Sequence, residues 1–379
     1  MNRGDRWLLV LPLALTALGV VMVYSSSAIL GITRHQDPNH FLTKQMLRAG
    51  IGVVAMLMMA KLPLRRLERA APFLLAAAAG LLGLVIVIGH AAGGSERWLH
   101  GGVLNVQFQP TDFARVAAIV CLAWWLKRRP PAEHGFVRGL LVPLGVLTVL
   151  CGLIAKQPNL SSAMMLGLIG LGMLFLAGAP LRHLAVPVGA GAAGVAVALA
   201  THPYQWDRVR SYLDFVLRGT LETRGSGWQL DQSLIALGSG GWLGRGLGGG
   251  LQKYLFLPEA HTDFIFSILG EELGFLGATI LLGLIALYLW RGLRTAVRAS
   301  DAFAFLVAGG LTLQIGFYAL VNLAVATGLA PTTGLPLPFV SYGGSALLLN
   351  LAAAGLLYRV SVGNERDEAL ARQRWGAAA

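Results

Sequence analysis

Hydrophobic residues run along this chain in long unbroken blocks, without the apolar–polar alternation of a half-buried strand. Ten blocks approach the length needed to cross a hydrocarbon core of about 30 Å: residues 7–30, 45–62, 71–90, 110–126, 138–156, 160–178, 182–200, 264–290, 302–328 and 344–361. Short polar turns separate most of them, and a long polar stretch, 201–263, lies between the seventh and eighth. The pattern predicts an all-α polytopic membrane protein of about ten transmembrane helices with one large outer loop. Residues 1–361 read as a single transmembrane domain and 362–379 as a cytoplasmic tail. Block 7–30 is longer than the apolar core of a cleavable signal and reads as the first span.

Composition agrees. Charged residues make up 13% of the chain, about half the share of an ordinary soluble domain. Lys and Arg crowd alternate connections: Arg3 and Arg6, Arg65 to Arg69, Lys127 to Arg129, Arg291 to Arg298, and Arg359 to Arg374. By the positive-inside rule these ends face the cytoplasm, with both termini inside, and loop 201–263 faces out. The net charge of +12 therefore serves mainly to anchor the inner leaflet. No basic helix or aromatic–basic alternation suggests nucleic-acid binding. Cys121 and Cys151 fall in different spans and read as packing residues, with no disulfide or metal pattern.

Candidate chemistry gathers in the outer connections. Leu257-Pro258-Glu259-Ala260-His261-Thr262-Asp263 runs directly into the eighth block. Pro258 stops any preceding helix, so Thr262 or Asp263 is a natural N-cap. A carboxylate there, beside free N–H groups and the positive helix end, is expected to stay ionised. Deeper in, Ser267, Gly270, Glu271, Gly274 and Gly277 share a helical face with Asp263. Glu271 divides between a functional acid and a structural ion pair; Glu272 points elsewhere and is assigned nothing.

The other outer segments add cations and irregular backbone. Arg97-Trp98 suits either interfacial anchoring or a grip on phosphate and sugar. Pro110 reads as the first turn of the fourth span, with Arg115 one turn further in and expected to have an anionic partner. Lys156 marks a tight turn, where a snorkelling lysine is the ordinary reading. Tyr204 to Asp214, with Arg208 and Arg210, form an amphipathic piece, and 228–237 a short helix. The glycine-rich run 238–250 lacks the Gly-Lys-Ser/Thr of a phosphate loop. It is expected to bring backbone close to a neighbouring helix or ligand. Residues 330–345 hold three prolines and read as a broken, re-entrant segment lining a cavity, with Asn322, Ser341, Tyr342 and Ser345 as its polar groups.

Three long motifs, LPEAHTDFIFSILGEELG (257–274), QSLIALGSGG (232–241) and PLPFVSYGGS (336–345), together with Arg97-Trp98 and Gln109-Pro110, resemble the SEDS family (shape, elongation, division and sporulation) over roughly residues 10–360. Glu-Ala-His at 259–261 leans toward its FtsW division branch rather than RodA. The resemblance implies a peptidoglycan glycosyltransferase that polymerises lipid II at the outer face of the bacterial plasma membrane. It also implies a class B penicillin-binding protein as transpeptidase partner, other divisome or elongasome membrane proteins around it, and Asp263 as the essential acid. Two positions depart from the family pattern. Thr111 to Arg115 replaces Ser-Glu-Leu-Ala-Lys, and Asn159 stands where a carboxylate is usual.

The chemistry is consistent with one acid. A sugar pyrophosphate carries its own leaving group, so a base toward the attacking hydroxyl suffices and the carboxylate pair of glycoside hydrolases is not needed. Two roles are open to Asp263: base toward the acceptor's 4-hydroxyl, giving an inverted β-1,4 link, or ligand to Mg²⁺ or Mn²⁺. Glu259 and His261 would orient it or the acceptor, and Ser341 and Tyr342 would line the substrate site. Arg97, Arg115, Lys156, Arg208 and Arg210 are the cations available to the pyrophosphate. A lipid II flippase would also use mid-span polar groups and a broken segment, but the inner half lacks a matching polar cluster. A non-catalytic division scaffold is a third reading.

Overall fold

The computed structural model describes residues 4–88, 90–92, 95–101, 106–219 and 225–376. Its helices are α1 (Trp7–His35), α2 (His40–Lys61), α3 (Leu64–Ile88), α4 (Pro110–Arg128), α5 (Pro131–Phe136), α6 (Val142–Ala155), α7 (Leu160–Leu176), α8 (Leu181–Thr201), α9 (Pro203–Arg218), α10 (Gly225–Ser239), α11 (Ile265–Val297), α12 (Ala302–Ala326) and α13 (Ser345–Gly376). A π-helical turn, Val137–Leu141, joins α5 to α6. A helix overlies each of the ten apolar blocks. Among the described residues seven helices are long and apolar enough to cross a membrane, and Gly139–Ala155 and Leu160–Leu176 are shorter apolar helices. The protein is a multi-pass, essentially all-helical membrane protein.

One element was not expected. Strands β1 (His90–Ala92), β2 (Ser95–Gly101) and β3 (Val106–Phe108) form a small antiparallel sheet in the order β1-β2-β3. Trp98 pairs with His90, and Leu99 with Phe108. Three- and seven-residue strands are too short for a period-2 signal to emerge from sequence.

Two hydrophobic cores hold the bundle. One joins α3, α4, α6 and α7 to part of α12, around Leu82, Ile119, Leu126, Leu166 and Met173. The other joins α1, α11, α12 and α13, around Leu8, Leu15, Met22, Ile268, Tyr288, Phe339 and Leu351. In lipid, close packing replaces the hydrophobic drive between helices, and small residues permit it. Gly355 of α13 lies directly against the Met56 carbonyl of α2, leaving no room for a Cβ.

The long outer stretch contains two of these helices. Helix α10 covers the predicted 228–237 and extends it by a few residues at each end. Helix α9 is the amphipathic piece: Arg208 and Ser211 turn inward while Tyr204, Trp206 and Leu217 stay exposed.

The glycine-rich run then docks onto a break in α11. At Gly274 the backbone has φ 65° and ψ −166°, a region essentially confined to glycine. The break frees the Glu271 and Glu272 carbonyls and the Phe275 and Leu276 amides from their helical partners. Residues 241–246 take all four. The Arg245 and Gly246 amides donate to Glu271 and Glu272 (both 3.0 Å), and Phe275 and Leu276 donate to Gly241 (2.9 Å) and Trp242 (3.2 Å). This is the close backbone approach expected of that run. Gly240 sits against the Gly270 carbonyl, and Gly244 against that of Glu272, with no space for a side chain.

Candidate active site

The loop 257–263 and the broken segment 330–344 meet at one end of the second core. Neither Thr262 nor Asp263 caps α11; the N-cap position is Phe264, with no side-chain bond. The chain instead tightens into a turn on the Glu259 carbonyl, which accepts from the amides of Thr262 (3.2 Å), Asp263 (3.1 Å) and Phe264 (3.4 Å). Glu259 itself has φ 55°, an uncommon geometry for a non-glycine residue and frequent at functional turns. The Thr262 hydroxyl donates to the Glu259 carboxylate at 3.0 Å.

Asp263 is half-buried beneath the broken segment. Gly334, with φ 72°, lies beside its carboxylate. Asn322 of α12 staples the two segments, donating at 2.8 Å to both the Asp263 and Leu335 carbonyls. Segment 330–344 is irregular and largely buried, as its prolines predict. Burial, and then the negative charge of Glu259, push the Asp263 carboxyl up to about 7, while Arg208 pulls the other way. The expectation of a persistently ionised acid is corrected: with no capping bonds to stabilise the carboxylate, desolvation prevails.

His261 is buried, its ring 4.9 Å from Phe41 and 5.3 Å from Tyr342. Burial is the main cause that lowers its pKa, Arg34 adds to it, and Glu259 opposes both. Burial thus favours the neutral imidazole. Ser341 anchors the segment by donating to the Thr262 carbonyl at 2.5 Å and accepting from the Leu337 amide at 2.8 Å. The Tyr342 amide donates to the His261 carbonyl at 2.9 Å.

Of the expected cations, Arg208 reaches this site. Its guanidinium donates to the Thr332 carbonyl at 3.0 Å and the Tyr204 hydroxyl at 2.6 Å. Arg210 instead points along its own exposed helix face, 3.9 Å from Asp214. Lys156 is exposed at the end of α6. Arg115 has its expected anionic partner: it is buried, 2.6 Å from Asp112 and stacked 4.1 Å from the Tyr318 ring centre. Asp112 also accepts from Ser345 at 2.6 Å, and Ser345 accepts from the Gln109 amide at 3.0 Å, so this pair ties the start of α4 to the start of α13. Asn159 caps α7, accepting from the Ser162 amide at 3.3 Å, a task that needs no charge. Arg97 and Trp98 lie on β2; their side chains fall outside the described residues.

Three charged residues of consequence escaped the sequence reading. Arg48 of α2 is buried and stacks 4.7 Å from the Tyr342 ring centre. Among the described residues its Nη1 has no hydrogen-bond partner, and neither do Gln45 Oε1, Asn322 Oδ1 and Thr332 Oγ1. Of these groups Asn322 bonds Asp263 directly and Thr332 bonds Arg208, while Arg48 and Gln45 pack against Tyr342 and Ser341 of the broken segment. A cation within the second span was the available signal. Glu272 and Lys253 are the others. They pair at 2.8 Å, both deeply buried, and Ser25 of α1 donates to Glu272 at 2.7 Å. Glu272, read as having no role, is thus the more buried acid of the two. Glu271 accepts from the Leu251 (2.7 Å) and Gln252 (3.2 Å) amides and takes the structural role.

A half-buried carboxyl poised near neutrality, beside one arginine and unsatisfied polar groups, can accept a proton from a hydroxyl and hold an anionic ligand. Among the described residues no group of three or more His, Cys, Asp or Glu converges as a metal site. Asp263 with Glu259 is nevertheless a donor pair of the kind with which Mg²⁺ joins substrate phosphates.

The comparisons with known proteins place this geometry in a class. The chain matches the family described as "Cell cycle protein" (FTSW_RODA_SPOVE) over residues 6–366. It is 38% identical to the probable peptidoglycan glycosyltransferase FtsW of Trichlorobacter lovleyi, covering 95% of this chain and 93% of that one. It is also 38% identical to stage V sporulation protein E of Bacillus subtilis, over 94% and 96%. Among solved structures it resembles a chain from work titled "Structural coordination of polymerization and crosslinking by a peptidoglycan synthase complex" (TM-score 0.78, 32% identity, 95% and 98% covered). The rod shape determining protein RodA of Thermus thermophilus is similar at TM-score 0.69 and 30% identity, over 94% and 96%. The chain belongs to the FtsW/RodA/SpoVE family.

Proposed function

We propose that this protein is a peptidoglycan glycosyltransferase that polymerises lipid II into β-1,4-linked glycan strands in cell division. The observation that carries the reading is Asp263, held by Asn322 under the broken segment, with its carboxyl pushed up to about 7 next to Arg208. A general base works best when its pKa lies near the operating pH. Asp263 takes the proton from the acceptor's 4-hydroxyl as that oxygen attacks the donor's anomeric carbon. The carbon–oxygen bond to the lipid pyrophosphate breaks, and the pyrophosphate leaves with its electron pair. Arg208 would neutralise the growing charge. His261, Ser341 and Tyr342 shape the cavity wall.

Mg²⁺ or Mn²⁺ held by Asp263 and Glu259 with the substrate phosphates would supply further charge neutralisation. The distribution of Lys and Arg supports a site facing outward from the plasma membrane, with both termini in the cytoplasm. A class B penicillin-binding protein is the proposed cross-linking partner, in line with the synthase complex that the fold resembles. The test is purified protein with lipid II, with and without that partner and a divalent cation. Glycan strands support the reading; lipid scrambling without strands would make the protein a flippase.

A further inference from the structure

The opposite end of the bundle carries a second polar cavity, of about 200 Å³, between the N-terminus, α11 and α13. It is roomy enough for ordered water or for one tetrahedral anion. Among the described residues three guanidiniums, Arg291, Arg294 and Arg298, line it against one carboxylate, Asp5. Arg291 donates to Asp5 at 3.2 Å, and its Nε is buried without a partner among the described residues. The wall behind is fixed by neutral polar groups. The Asp5 amide donates to Ser361 at 3.0 Å, and Asn364 donates to the Thr295 carbonyl at 2.8 Å. Both Ser361 and Asn364 are buried.

Arginines scattered over a cytoplasmic end need nothing more than anionic lipid nearby. Here they converge from one helix on a shaped pocket whose floor is assembled from three chain segments. The depth is also informative. Trp290 is half-exposed, and its ring carries the Arg291 and Arg294 guanidiniums at 5.0 and 5.5 Å from its centre. It lies roughly 37 Å along α11 from Ile265 at about 1.5 Å per residue, just beyond a hydrocarbon core of about 30 Å. Tryptophan prefers that interfacial level, where lipid phosphates reside.

We infer that this cavity binds a phosphate group, its chemistry that of an anionic phospholipid headgroup, with the two outer arginines clasping the phosphate oxygens and Arg291 beneath. Because the cavity sits at the far end of the molecule from Asp263, the inference stands apart from the catalytic reading.

Native mass spectrometry of the purified full chain, titrated with phosphatidylglycerol or phosphatidylcholine, tests it. Phosphatidylglycerol should be retained, and the Arg294→Gln/Arg298→Gln pair, both exposed residues, should weaken retention about thirty-fold, the scale of two arginine–headgroup contacts. Asp5→Asn removes the one carboxylate that lines the cavity among the described residues and should strengthen retention several-fold, an opposite sign that misfolding would not produce. Competition by millimolar inorganic phosphate would support the phosphate site while showing that a soluble anion fills it. Equal retention of both lipids, or retention unmoved by all of these changes with no competition by phosphate, would overturn the inference.

Discussion

Asp263 gains a useful pKa from an unfavourable position. Its folded value of about 7 lies above the unfolded 3.8, so the native state holds this proton more tightly. The stability associated with the protonated carboxyl is fully present below about pH 4 and is lost as pH rises toward 7. Asp263→Asn should therefore melt above the wild type at pH 8 and level with it at pH 4, as thermal scans would show. The deprotonated form is the base, so polymerisation should rise through pH 7. Glu259 raises this pKa and Arg208 lowers it. Glu259→Gln should shift the alkaline-rising limb of the pH–rate profile to lower pH, and Arg208→Gln should shift it higher. A limb unmoved by both would remove Asp263 as the titrating group. The acid was legible in sequence because proline, histidine and two acids share seven positions before a long apolar run. Its raised pKa was not, because the burial that chiefly causes it comes from segments distant in sequence.

At the scale of elements, α11 is a broken helix repaired by a loop. Sequence showed the glycines on one face and the flexible run 238–250, but not that each completes the other's hydrogen bonds. Gly274→Ala puts a Cβ into the Gly244 amide at a φ of 65°. About 1–3 kcal/mol of backbone strain follows, with the clash in addition, so this variant should melt well below Gly283→Ala, whose site is open. The Lys253–Glu272 pair fastens the same loop. Removing one partner strands a buried charge, at about 3–5 kcal/mol. Lys253→Met and Glu272→Gln should each destabilise strongly, and the double variant should cost less than the sum of the two. Strict additivity would show that the pair contributes no coupling. The apolar blocks revealed these helices' existence because lipid demands long hydrophobic runs. A buried ion pair linking positions 253 and 272 to Ser25 leaves no local pattern.

The whole molecule sets two polar sites at opposite ends of an apolar bundle. One is assembled from a proline-broken segment, a tight loop and α2, α9 and α12; the other from the basic ends of α11 and α13. Charge asymmetry along the sequence already separated these ends, and the motif order already suggested the family. What sequence reading overestimated was convergence: Arg210 serves its own helix, and Arg115 is spent on Asp112. What it underestimated was α2, whose Arg48 and Gln45 face the site. The account rests on one acid acting as the base for glycan synthesis. Its most direct test is lipid II polymerisation by the purified protein and its class B partner, comparing wild type with Asp263→Asn at matched folding. The predicted result is glycan strands from the wild type and a fall of at least about a hundredfold in the variant; strands formed at an undiminished rate by Asp263→Asn would contradict it.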